Sequence, residues 1–360
     1  MTIPREEPRT FKTLSRKDGD FLSYLDGSFS MALVALPVRS LNVGMSSEQV
    51  TFEIVNGADV IRPSLLSIIF ALMRPTSLIF SAGPMLTVLA RISVGSRSTS
   101  WFLAVTCFIG VLAFQIATNL FNDYGDHMKG QDRLRPKGGS RAIQNGWIRA
   151  RTVKQAALGL TGFAALCGAP AIIHSPVLIV AGLALLFTLE VAFQRLRLKA
   201  RGWAEGLAFL LTGPLLTCGF AYAVTGTTET GDASLGCVFG AIALLYFHSA
   251  NFENIMDDSQ AGARTWATRA GFDASKTFFL FVAAVCLGAS LFHILAVEKN
   301  PRLISAFLAQ ASLLFVSSRR VLRLASPLSS GLAGLRESAE QLSWLTALIF
   351  IPNYIWMSVT

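Results

Sequence analysis

Charge is what this chain has least of. Asp, Glu, Lys and Arg make up 15% of its 360 residues, where a soluble globular domain carries about a quarter. That shortage excludes an ordinary water-soluble domain and points to lipid as the solvent. Cysteine is also sparse. Cys107, Cys167, Cys218, Cys237 and Cys286 form no Cys-x-x-Cys pair, so zinc and dithiol signatures are missing and the five read as small core hydrophobes. The first twenty residues are polar and mixed in charge; they do not form the apolar core of a secretory signal, and insertion must rely on internal segments. The net charge is +9, but the basic residues sit between apolar blocks rather than on one face, which argues against nucleic acid as a partner.

What the chain has in abundance is apolar sequence, 52% of its residues, in blocks of about 18 or more, the length that crosses a hydrocarbon core. The blocks predict spans near 77–94, 101–121, 153–173, 176–194, 205–225, 235–253, 276–296, 303–318 and 341–359. The expected fold is therefore an all-α integral membrane protein of nine transmembrane helices, with 63–360 as its membrane domain. A shorter apolar stretch, 65–73, ends at Arg74-Pro75; it is too short to span and is expected to lie along the membrane surface. Residues 1–62 differ from the rest. Loose alternation in Phe29-Ser-Met31-Ala-Leu33 and Val50-Thr-Phe52-Glu-Ile54 suggests short strands, and no motif there suggests chemistry. This segment reads as a cytoplasmic extension that packs on the membrane domain.

Orientation follows from where the basic residues fall, since short cytoplasmic loops hold Lys and Arg back. The loop after the second expected span carries Lys129, Arg133, Arg135, Lys137, Arg141, Arg149 and Arg151, and the loop after the fourth carries Arg195, Arg197, Lys199 and Arg201. The alternate loops hold Arg91, Arg97, Lys299 and Arg302. The N-terminus is thus expected in the cytoplasm and the C-terminus across the membrane.

Two clusters of carboxylates and amides lie near membrane depth, where charged side chains are costly and usually functional. The first reads Asn119-Leu-Phe-Asn122-Asp123-Tyr124-Gly-Asp126-His-Met-Lys129-Gly130-Gln-Asp132, and the second Asn251-Phe-Glu253-Asn254-Ile-Met-Asp257-Asp258. Superposed, they share Asn-x-x-Asn-x-x-x-Asp, a spacing that places the three residues on one helical face. By topology both faces are expected at one membrane surface, enclosing one pocket between two halves of a bundle. Oxygen ligands of this kind suit Mg²⁺, which typically takes one or two carboxylates together with substrate phosphate oxygens. Lys129, Arg133, Lys137 and Arg141 in one loop and Arg264 in the other would supply the anion's remaining partners. A diphosphate on a hydrophobic tail fits such a site. His127, the one histidine inside a motif, reads as an exposed loop residue, and His174, His248 and His293 carry no assigned role.

On these residues the sequence resembles the UbiA superfamily of intramembrane prenyltransferases, from about Arg74 to the C-terminus. Asn122-Asp123-Tyr124-Gly125-Asp126 with Lys129-Gly130-Gln131-Asp132 is similar to the 1,4-dihydroxy-2-naphthoate branch of menaquinone synthesis, as are Gly138-Gly139-Ser140-Arg141-Ala142-Ile143-Gln144-Asn145-Gly146, Arg201-Gly202-Trp203-Ala204-Glu205 and Gly213-Pro214-Leu215. The second motif of that family usually begins with Asp, where this chain has Asn254.

The resemblance implies a UbiA-type bundle with its site at the cytoplasmic side of a bacterial inner membrane, and Mg²⁺-dependent transfer of a prenyl group from its diphosphate to an aromatic acceptor. It implies Asp123, Asp126, Asp132, Asn254, Asp257 and Asp258 as metal ligands, Asp132 acting through water, with Asn119 and Asn251 orienting the carboxylates. Lys129, Lys137, Arg141 and Arg264 would grip the diphosphate. Glu205, beside Arg201, would bind or deprotonate the acceptor, with a structural salt bridge as the competing reading. A membrane terpene cyclase or secondary-metabolite prenyltransferase of the same superfamily is the nearest alternative, and a transporter or lipid-binding membrane protein the one from outside enzymes.

The orientation is directly testable. In a background stripped of native cysteines, a single cysteine at position 137 or 264 should react with a reagent confined to the cytoplasmic side, and one in the 226–234 loop with a reagent on the other side. Labelling of both motif positions from outside the cell would reverse the assignment.

Overall fold

The protein is described by a computed structural model covering residues 10–95, 97–134, 139–183, 204–260 and 264–359. It divides into two compact units, Met1–Arg74 with Ile116–Thr161, and Pro75–Gln115 with Gly162–Thr360.

In the first unit, strands β1 (Thr10–Ser15), β2 (Leu33–Leu41) and β3 (Gln49–Asn56) form an antiparallel sheet in the order β1-β3-β2. β3 lies in the middle and buries Val50 and Phe52, one strand period apart. These pack with Leu14 of β1 and with Phe21 and Leu25 of the short helix α1 (Phe21–Asp26). The sheet lies within residues 1–62, where short strands were expected, so the all-α description holds for the membrane domain and not for this segment. Val50–Ile54 falls inside β3 as expected, but the segment at 29–33 mostly precedes β2, because the Ser30 hydroxyl accepts the amides of Ala32 and Leu33 and turns the chain there. β2 is an edge strand, which accommodates Pro37 and the bulge between Pro37 and Arg39.

Helix α2 (Leu65–Met73) starts where the Ser64 hydroxyl accepts the Ser67 amide at 3.2 Å. It buries Ile68 and Leu72, four residues apart, and leaves Leu65, Leu66 and Phe70 exposed. Such an apolar outer face is the pattern of an interfacial helix. Arg74 ends it in the left-handed conformation at φ 51°, before Pro75, whose ring disfavours continuing the helix.

Eight helices among the described residues are long and apolar enough to cross a membrane: Pro75–Val94, Trp101–Lys129, Ala150–His174, Glu205–Thr225, Thr230–Glu253, Phe272–Glu298, Pro301–Leu322 and Ser330–Val359. The expected span at 176–194 falls largely outside the described residues. Further helices, in chain order, are α3 (Ile79–Val94), α4 (Trp101–Lys129), the four-residue α5 (Gln131–Leu134), α6 (Ala150–His174), α7 (Ala204–Thr212), α8 (Pro214–Thr225), α9 (Thr230–Glu253), α10 (Ile255–Gln260), α11 (Phe272–Phe292), α12 (Ile304–Leu322) and α13 (Leu335–Val359).

In the second unit α9 is the helix the others surround. It packs on α7, α8, α11 and α13 and buries Leu235, Val238, Phe239, Ala241, Ile242 and Leu245. Close approach depends on small residues, as is usual between membrane helices. A Cβ added to Gly213 would lie 2.7 Å from the Gly240 Cα, and one on Gly240 would press on the Phe209 carbonyl. At the start of α9 the fully buried Asp232 is answered by two arginines: Arg91 Nη1 donates to Oδ1 at 3.0 Å and Arg97 Nη1 to Oδ2 at 2.9 Å. His293 bridges Ser234 and Tyr354 at 2.8 Å on each side, so both of its ring nitrogens are partnered; His248 meets the Ser275 carbonyl through Nε2 at 3.0 Å, and its buried Nδ1 makes no hydrogen bond.

Because backbone cannot move aside as a side chain can, Gly240→Ala should destabilise the protein by about 1–3 kcal/mol. Thermal unfolding in detergent checks this against Gly288→Ala, where an added Cβ meets nothing within 4 Å and the midpoint should hold.

Candidate active site

The first cluster is built on the last two turns of α4 and on α5. α4 stops at Gly130, whose φ of +79° turns the chain so that the Arg133 side chain folds back over it. Asp123 and Asp132 are 3% and 4% exposed, and they converge at Gly139. A Cβ there would lie 3.2 Å from Asp123 Oδ1, 3.5 Å from Arg74 Nη2 and 3.5 Å from Asp132 Oδ1. Gly139 itself has φ +68°, so the position suits glycine on both counts.

Arg74 ion-pairs with Asp123 Oδ1, while Asp123 Oδ2 is buried with no partner at hydrogen-bond geometry. Gln144 Nε2 donates to Asp132 Oδ2 at 2.5 Å, and Arg141 Nη1 donates to the Asp132 carbonyl at 2.8 Å. Burial, and then the carboxylates of Asp126 and Asp123, push the Asp132 carboxyl up to about 7 against the pull of Arg74 and Arg141. Among the described residues three carboxylates, Asp123, Asp126 and Asp132, interact here with the guanidiniums of Arg74 and Arg141. A buried carboxylate oxygen without a donor and a neighbour held above its ordinary range are what a bound divalent cation would relieve. The residues fit Mg²⁺. Among the described residues no three His, Cys, Asp or Glu side chains are grouped so that they could hold a metal ion by themselves, and Mg²⁺ commonly relies on substrate phosphates for much of its shell.

Several sequence expectations change here. Arg133, expected to face the anion, is instead committed to the fully buried Glu48. His127, expected in an exposed loop, is a buried residue of α4 whose Nε2 meets the Leu25 carbonyl at 2.9 Å; the folded N-terminal segment covers it. Arg74, missed as a site residue, lies 49 positions from Asp123. Its signal was the Arg-Pro pair that ends an apolar stretch short of spanning length. Asn119 Nδ2 donates to the Met73 carbonyl at 2.9 Å, fixing the chain next to Arg74. Lys129 is the half-buried last residue of α4. Lys137 lies outside the described residues.

The second cluster has a different setting. Asn251, on α9, donates from Nδ2 to Glu205 Oε1 of α7 at 2.6 Å, both residues being buried. The helix breaks at Asn254, whose Nδ2 caps back onto the Ala250 carbonyl at 2.7 Å. α10 then begins, carrying half-buried Asp257 and Asp258 at 1% exposure. The backbone bond from the Asp258 amide to the Asn254 carbonyl at 2.8 Å keeps the i, i+4 relation across the break. Arg264 is exposed. Arg201 lies outside the described residues.

Eight helices long and apolar enough to cross a membrane, with buried carboxylates and an arginine paired to one of them near the end of α4, are the features of an integral membrane protein. The UbiA prenyltransferase family model matches residues 84–334, and the chain belongs to this family. It is a prenyltransferase. Over 217 residues it is 27% identical to a 1,4-dihydroxy-2-naphthoate octaprenyltransferase of Haemophilus influenzae, spanning 55% of this chain and 70% of that protein. The fold is shared with a UbiA homolog from Archaeoglobus fulgidus bound to GPP and Mg²⁺ (TM-score 0.58, 12% identity, 81% of this chain and 100% of that one). It is shared also with an apo UbiA homolog from Aeropyrum pernix K1 (TM-score 0.61, 13% identity, 79% and 98%).

Because Arg74 balances a buried charge, Arg74→Gln should lower stability by about 2 kcal/mol, and Asp123→Asn on that background should restore most of it. Unfolding midpoints of the single and double variants measure the coupling.

Proposed function

We propose that this enzyme transfers a prenyl group from an allylic prenyl diphosphate to an aromatic acceptor of the 1,4-dihydroxy-2-naphthoate type, in a Mg²⁺-dependent reaction at the cytoplasmic side of a bacterial inner membrane. The observation that carries this reading is the meeting of Asp123, Asp132 and Arg74 at Gly139, with Ser140 hydrogen-bonding to Asp123 and Arg141 on the Asp132 carbonyl. The likeness to a naphthoate octaprenyltransferase supports the acceptor class.

Bound Mg²⁺ supplies charge neutralisation for the departing diphosphate. The chain's own residues do the rest. Asp123, Asp126 and Asp132 offer oxygen ligands in the first cluster; Asp258, Asp257 and the Asn254 carbonyl oxygen offer them in the second. Arg74 and Arg141 are guanidiniums suited to diphosphate oxygens, and we assign Lys129, Lys137 and Arg264 to the same anion. Glu205 and Arg201 are assigned to the acceptor. Asn251 orients the Glu205 carboxylate, to which it donates. As the allylic C–O bond breaks, its electron pair leaves on the diphosphate. The electron-rich ring then bonds to the allylic carbon and gives up a proton.

The test is to offer the purified protein a panel of prenyl diphosphates with and without aromatic acids and to identify the products by mass. Chelation of divalent ions should stop turnover and Mg²⁺ should restore it. Asp126→Asn should lower the rate at least about a hundredfold, equivalent to roughly 3 kcal/mol. Asn254→Asp should lower the Mg²⁺ concentration required, because a charged oxygen binds the ion more strongly. Cyclised products without acceptor would convert the assignment to a terpene cyclase, and full activity in excess chelator would end it.

A further inference from the structure

Beyond the transfer reaction, we infer that the N-terminal sheet is a scaffold for the first carboxylate cluster, and that Glu48 is its positioning residue, acting through Arg133. The inference rests on the proposed metal-binding role of that cluster.

Glu48 is fully buried just before β3. A carboxylate in such a place needs full compensation, and it has two guanidiniums: Arg16 Nη1 at 2.6 Å on one oxygen and Arg133 Nη2 on the other. Arg16 is local to the sheet. Arg133 is not; it follows Asp132 directly and its own side chain is 5% exposed. The second arm of Arg133, Nη1, donates to the His127 carbonyl at 3.2 Å. One side chain therefore ties the end of α4 and the start of α5 to a single buried anion, spanning the turn at Gly130.

Three independent contacts hold the same segment to the same scaffold. His127 Nε2 meets the Leu25 carbonyl at 2.9 Å. Met128 packs on the core of Leu14, Phe21, Leu25, Val50 and Phe52. Val43 closes over Gly130. Asp123, Asp126 and Asp132 lie on or beside this stretch, so their mutual geometry depends on it. Side chains that orient metal ligands without touching the metal typically matter about 10–100-fold to metal affinity. A merely stabilising salt bridge would not move metal affinity in protein that remains folded.

The experiment uses the full chain in detergent and Mn²⁺ as a paramagnetic stand-in, titrated by electron paramagnetic resonance in the presence of inorganic pyrophosphate. Glu48→Gln should raise the Mn²⁺ dissociation constant about tenfold, with the Mg²⁺ requirement for turnover rising in parallel and the rate at saturating Mg²⁺ holding within about twofold. Arg133→Met should do the same, and the pair together no more than either alone, since both act through one contact. Glu48→Asp keeps the charge and should recover part of the loss; it replaces Glu48→Gln should the latter not fold. Asp59→Asn, an exposed site in the same segment, should leave Mn²⁺ binding unchanged.

Native Mn²⁺ affinity in folded Glu48→Gln or Arg133→Met protein overturns the inference, as does additivity in the double variant. Failure of the native protein to transfer any prenyl group while it still binds Mn²⁺ with pyrophosphate would count against the proposed reaction alone, leaving the positioning role to be decided by the same titrations.

Discussion

A carboxylate cannot be kept out of water without something positive to answer it, and the first unit is organised around that constraint. Asp123 is answered on one oxygen by Arg74, and Arg74 is delivered by a helix too short to cross a membrane. Glu48 is answered by Arg16 and Arg133. Asp132 accepts a glutamine amide on its carboxylate and an arginine on its carbonyl among the described residues, with Arg74 and Arg141 acting on it as charges. The order of these solutions is informative: the fully paired acid belongs to the scaffold, and the incompletely paired ones gather at Gly139.

The bundle was legible in the sequence because lipid demands long apolar blocks, and blocks survive any detail of packing. α6 and α9 lie where their hydropathy put them to within a few residues. The sheet was less legible: β3 alternates cleanly, but the start of β2 is set by a serine hydroxyl rather than by hydrophobicity. At the site, Asp123, Asp132 and Arg141 were readable from their residue types, and they do come together. Arg74 and Glu48 were not, since no spacing rule links positions 49 or 85 residues apart. His127 was misread because polar neighbours suggest solvent, and only the folded N-terminal segment removes it.

The two Asn-x-x-Asn-x-x-x-Asp segments share their lettering but not their surroundings. Asn119 donates to a main-chain carbonyl, whereas its counterpart Asn251 donates to the carboxylate of Glu205. Asp126 is half-buried, whereas Asp258 is nearly inaccessible. The first segment stays helical throughout, and the second breaks at Asn254, where an amide that caps its own helix replaces the family's acid. Equivalent substitutions in the two halves therefore remove different things, one a link to the backbone and the other a link to a second acid.

Glu48 also imposes an order on synthesis. Its partner Arg16 is made before it, but Arg133 follows 85 residues later, a delay on the order of ten seconds at ordinary elongation rates. During that interval the sheet can assemble with one guanidinium in place, while the opposite face of its carboxylate stays open to water. Maturation of the N-terminal segment must wait for α4 to emerge and for Gly130 to turn the chain back. The newborn sheet is thus a receptor for a later part of its own polypeptide, and a chain whose α4 inserted in the wrong direction would leave that receptor empty.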